Sequence, residues 1–182
     1  MHARMVAFHL VWSGCGKMNS MTHEPRWSQA LRELLQHTRV AALGTLQPDG
    51  RPFVSMVPFA IEPERGVLVI HVSALAAHSG NMERNPQVSL LVMQAEVEGE
   101  AVHALPRITF EGVASPMERG TQPWEQARAT YLQRFPEAQP MTELGDFRFV
   151  QITVLAARQV AGFGAARALD EQQLQMLLQA TH

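Results

Sequence analysis

The turns set the strongest limit on how this chain folds. Three strand-like runs, RVAALGTL, PFVSMVPFAI and VLVIHV, are separated only by QPDGRP and EPERG. Connections of roughly two to five residues cannot carry the chain back to the start of a neighbouring strand, so these strands must run antiparallel, and a doubly wound parallel sheet is excluded. Asp49-Gly50 supplies the positive φ that a tight hairpin needs. In the second run Phe53, Ser55, Val57 and Phe59 share one face, and Val54, Met56, Pro58 and Ala60 share the other. VLVIHV is apolar almost throughout, which predicts a strand buried on both faces with His71 as a packed core residue.

The rest of the chain continues this pattern with helices inserted. Trp27, Leu31, Leu34 and Leu35 follow a helical period and predict an amphipathic helix. A short helix over 76–84 should end at Asn85-Pro86. QVSLLVM reads as another buried strand, and RITFEGVA as a strand closed by Ser115-Pro116. QPWEQARATYLQRF is helical, with Trp124, Ala127, Tyr131 and Phe135 on one face and Pro136 and Pro140 closing it. FRFVQITVLAARQV is the last long strand, AGFGAAR a tight bend, and DEQQLQMLLQ a final short helix. The expected class is mainly β with flanking helices, built around a small antiparallel barrel.

With 182 residues the simplest organisation is a single domain over 24–182, preceded by a disordered leader or mis-assigned start over 1–23, where Met18 and Met21 are alternative starts. MHARMVAFHLVWSGCGK has the outline of an export signal, but its apolar run is short and Trp12 is bulky beside the cleavage position. Fifteen basic against 17 acidic residues give a charge of −2 and no electrostatic reason to expect nucleic acid. Cys15 is the only cysteine, so no intramolecular disulfide forms, and no Cys/His spacing fits zinc. No apolar run spans a bilayer, so no membrane association and a cytoplasmic location are expected. GCGKMN lacks the spacing of a phosphate-binding P-loop, and Arg167 stands at the third glycine position of a dinucleotide fingerprint in GFGAAR. His103 with Glu96, Glu98 and Glu100 is read as solvated surface rather than a metal site. No nucleophile–base arrangement can be argued, so no catalytic residue is assigned.

One stretch remains unexplained by these rules. SALAAHSGNMERNP gathers Ser73, His78, Ser79 and Asn81 where a buried strand becomes a helix. Free N–H groups and the dipole at a helix start favour an anion, while capping by Ser73 or Ser79 is the simpler alternative.

From Trp27 to Leu169 the order of RVAALGTLQPDGRPFVSMVPFAI, HVSALAAHSGNMERNPQVSLLV, ALPRITFEGVA, ATYLQRFPEA and GDFRFVQI with AGFGAAR resembles the FMN-binding split-barrel proteins related to pyridoxamine 5′-phosphate oxidase. Within them it is most similar to the haem-utilisation (HugZ-like) branch, in a short form that stops at His182 without the further C-terminal domain of many relatives. The resemblance implies an antiparallel split β-barrel with FMN along strand 53–57, that is Phe53, Val54, Ser55, Met56 and Val57. It also implies a phosphate site at Ser73, Leu75, His78, Ser79 and Asn81, and places Arg107 toward the flavin. Ser55 stands where the oxidases have an arginine, His78 where they have a lysine, and Arg107 where they have a glutamine. Ala60 replaces another lysine, and the Arg-x-His segment that handles pyridoxal is missing, so pyridoxamine phosphate oxidation is not expected. What the resemblance implies is an FMN-dependent oxidoreductase acting on a small molecule, as a homodimer with flavin sites at the subunit interface. A haem-binding or haem-degrading protein of the HugZ type and a non-catalytic binding module are the alternatives.

Overall fold

The computed structural model describes residues 26–162 and 165–179; the leader, Cys15 and the alternative starts lie outside them. The described residues form seven strands: β1 (Val40–Leu46), β2 (Pro52–Glu62), β3 (Val67–Ser73), β4 (Gln87–Met93), β5 (Arg107–Pro116), β6 (Phe147–Val160) and β7 (Ala166–Ala168). Every pairing is antiparallel, in the order β3-β2-β1-β4-β5-β6-β7. An additional β3–β6 ladder, with Ile70 opposite Val150, closes β1 to β6 into a ring. Both short turns behave as their sequences require. Gly50 and Gly66 hold φ of 82° and 63°, where a side chain would be strained.

Alternation then decides what fills the ring. Leu43, Phe59, Leu68, Ile70, Leu90, Ile108, Phe110 and Ile152 point inward and are 0 % exposed. Full burial of each such side chain is worth about 1.5–3 kcal/mol. Two helices add to this core: α1 (Arg26–His37) supplies Leu31, Leu34 and Leu35, and α5 (Glu171–Gln179) supplies Leu174, Leu177 and Leu178. A second core lies outside the ring. There α3 (Gln122–Arg134) lays Trp124, Ala127 and Tyr131 on Ala60, Val67, Val69 and Phe149. This outer layer is why VLVIHV is buried on both faces.

His71 belongs to the same layer, 7 % exposed, with its ring 4.4 Å from that of Phe149 and 5.2 Å from that of Phe147. Burial, helped by the positive charge of Arg119, pushes its pKa down to about 4.

Two expectations need correction. QVSLLVM is buried on one face only: Leu90 is enclosed, whereas Leu91 is half-buried and Met93 exposed, because the outward side of β4 is left open. The prolines after α3 start helical turns as well as ending a helix. Pro136 opens a 3-10 turn, and Pro140 lies in the first turn of α4 (Gln139–Thr142), where its missing N–H costs nothing. The segment after β6 bends at Gly162, as AGFGAAR suggests, and the chain then pairs back as β7, which is too short to show a period.

Candidate functional site

The strand–helix junction of SALAAHSGNMERNP forms as the sequence suggests. β3 ends at Ser73, and α2 (Ala77–Arg84) begins four residues later. The N-cap is Ala76, with no side-chain hydrogen bond, so neither Ser73 nor Ser79 caps the helix. Ser73 instead builds a turn: its Oγ accepts from the Leu75 N–H at 3.2 Å and donates to Asp146 Oδ2 at 3.1 Å. Ser79 Oγ donates back to the Ser73 carbonyl at 2.6 Å. Asn81 Nδ2 donates to Thr45 Oγ1 at 3.0 Å inside the protein. His78 faces the barrel, where its Nδ1 lies 3.0 Å from Ser55 Oγ.

The structure therefore brings Ser55, Ser73, His78, Ser79 and Asn81 together, but as a clasp that ties α2 to β1, β2 and the start of β6. The hydroxyl hydrogens of Ser73 and Ser79 are committed to internal acceptors, and Asn81 gives one amide hydrogen to Thr45. His78 Nε2 is buried and has no partner among the described residues. Burial also lowers the His78 pKa, which keeps the imidazole neutral at neutral pH.

The other expected residues are placed as follows. Phe53, Ser55 and Val57 point inward along β2, the first two half-buried. Val54 and Met56 point outward and are 66 % and 65 % exposed. Leu75, in the junction, is 87 % exposed. Arg107 opens β5, and its Nη1 donates to the Leu105 carbonyl at 3.1 Å. It is not near the clasp: three inter-strand steps separate β5 from β2 either way round the ring. Thr45 and Asp146 were not singled out from the sequence. They come from distant stretches, and only the ring closure brings them to the junction.

Among the described residues no group of three or more His, Cys, Asp or Glu side chains could hold a metal ion. No helix among them is long and apolar enough to cross a membrane. A cavity of about 750 Å³ lies elsewhere, between α3 and the β2–β3 turn, lined by residues such as Glu62, Thr130 and Arg134.

Comparison with known proteins places this geometry. The sequence is 34% identical over 142 residues to "Heme oxygenase HutZ" of Vibrio cholerae, covering 78% of this chain and 80% of that protein. It is 30% identical to "Non-canonical heme oxygenase HOZ, chloroplastic" of Arabidopsis thaliana, covering 76% of this chain and 41% of that protein. Among solved structures, a haem-binding protein from Mycobacterium smegmatis superposes with a TM-score of 0.73 at 26% identity, over 84% of this chain and 61% of that one. The Vibrio cholerae HutZ structure, described as a haem storage protein, superposes at 0.65 with 32% identity, over 70% and 89%. The model of the pyridoxamine 5′-phosphate oxidase family matches residues 27–161, the span that holds the whole six-stranded ring. The chain belongs to that family of split-barrel proteins.

Proposed function

We propose that this protein binds haem and acts on it as a haem oxygenase, rather than working as an FMN-dependent oxidoreductase. The observation that carries this reading is the 34% identity to a haem oxygenase over most of both chains.

The residues support it. A haem presents a large apolar surface, and the chain offers open apolar residues on the outward face of β2, Val54 and Met56, and in the junction, Leu75. These would hold the macrocycle, and exclusion of water from it is their contribution. Ser55 would hold the His78 ring in place on the barrel side. Haem, when bound, supplies the redox chemistry, so the chain need not carry a side-chain nucleophile or base. The fit to FMN is poorer. A phosphate dianion needs free donors and charge compensation; the Ser73 and Ser79 hydroxyls already donate internally, and His78 is neutral.

Leu75 gives the test, because its exposed position leaves folding unaffected. Leu75→Asp should weaken haem binding roughly tenfold, about 1.4 kcal/mol, in a Soret titration. Unchanged affinity in the folded variant would remove the junction from the haem site.

A further inference from the structure

One helix borders two different surfaces. Trp124, Ala127 and Tyr131 of α3 pack down on the barrel wall. The neighbouring face, Gln126, Ala129, Thr130, Gln133 and Arg134, recurs at helical spacing and forms one wall of the cavity of about 750 Å³. The end of β2 and the turn after it form the facing wall, with Glu62 and Glu64. Ala129 and Thr130, at the middle of the helical wall, are small and keep the space open. Cavities that take small ligands run from roughly 300 to 1,000 Å³, and this one falls inside that range.

The polar groups here differ from those of the junction, because the protein leaves most of them unused. The side chains of Gln126, Thr130 and Gln133 make no hydrogen bond among the described residues. Glu62 is 2 % exposed and held by a two-pronged bond from Arg65, whereas Glu64 takes no ion pair among the described residues. Across the cavity Arg134 likewise has no carboxylate partner among them. Its Nη2 donates to the Leu35 and Thr38 carbonyls at the end of α1, both at 2.7 Å, which fixes the guanidinium in place. Glu64 and Arg134 thus face one cavity with opposite charge and do not reach each other. A ligand charged at both ends bridges such a pair with two charge-assisted hydrogen bonds. Between the two charges lie two side-chain amides and a hydroxyl, each able to donate and to accept.

We propose that the cavity between α3 and the β2–β3 turn binds a free short peptide, with Arg134 on its carboxylate, Glu64 on its ammonium, and Gln126, Thr130 and Gln133 on its amide groups. The dimensions agree. The helical wall from Gln126 to Arg134 is roughly 12 Å long, and three extended peptide residues reach roughly 10 Å. An anion alone would leave Glu64 without a partner, and a cation alone would leave Arg134 without one. The site is separate from the strand–helix junction, so it stands independently of the haem reading.

Isothermal titration of the haem-free, full-length chain with triglycine, N-acetyl-triglycine and triglycinamide is the test. Triglycine should bind with a Kd on the order of 1 mM or below, and loss of either terminal charge should weaken binding at least about fivefold. Glu64→Gln should weaken triglycine by a similar factor and leave N-acetyl-triglycine unchanged, because that probe carries no ammonium. Thr130→Trp should fill the cavity and abolish binding, with circular dichroism as the folding control. Glu64 is exposed, so its variant decides the matter should Thr130→Trp fail to fold. Absence of binding at about 20 mM triglycine, equal affinity for all three probes, or wild-type affinity in a folded Thr130→Trp or Glu64→Gln variant would overturn the proposal.

Discussion

Asn81 and Thr45 form the one side chain–side chain bond of the junction that is fully inside the protein. Asn81 is 4 % exposed and Thr45 3 %, so removing either partner leaves the other buried without its bond. Asn81→Ala should therefore cost about 1–3 kcal/mol, read as a lower denaturation midpoint with an unchanged slope. A cost near zero would mean that α2 is held by its apolar contacts alone. His71 gives a prediction of a different kind. Its folded pKa of about 4 lies below its ordinary value of 6.5, so between these values the unfolded chain binds the extra proton. Stability should be fully present above about pH 6.5 and decline as pH falls toward about 4, with no further loss from this residue below that. His71→Phe should flatten the profile of melting temperature over that window. A variant as acid-sensitive as the wild type would assign the loss to another group. At this scale the sequence shows which polar residues gather but not their direction. SALAAHSGNMERNP shows which polar groups gather; whether they face a ligand or the barrel depends on Thr45, Ser55 and Asp146, which no local pattern connects to them.

Turn chemistry made most elements legible. QPDGRP and EPERG define two antiparallel hairpins before any tertiary contact is known, and β6 (Phe147–Val160) matches its apolar run end to end. What local pattern cannot show is which face acquires a cover. β3 and β4 are both apolar runs, yet α3 lies over one and leaves the other open. The β-bulge between Glu111 and Gly112 was equally hidden, since it depends on register with β6. There a Cβ on Gly112 would sit 2.5 Å from the Thr153 carbonyl oxygen, closer than packing allows. Gly112→Ala should cost about 1–3 kcal/mol or more, because strand backbone rather than a flexible side chain must move. Wild-type stability in that variant would show that the β5–β6 ladder relaxes freely.

For the whole molecule, the barrel closes through the β3–β6 ladder, which joins residues about eighty positions apart in sequence. The fold was readable because five loose motifs occur in one order, a constraint on the chain as a whole rather than on any segment. The cofactor was not. Flavin and haem relatives share this barrel, and fold alone does not choose between them. The proposal of haem rests on identity to haem oxygenases and on a junction whose serine hydroxyls already donate internally.

The most direct measurement is a paired titration of the purified protein with haemin and with FMN at equal concentrations, followed by removal of unbound ligand. The account predicts a saturating Soret band, near one haem per chain, and no retained flavin. Stoichiometric retention of FMN with no Soret band on addition of haemin would contradict it.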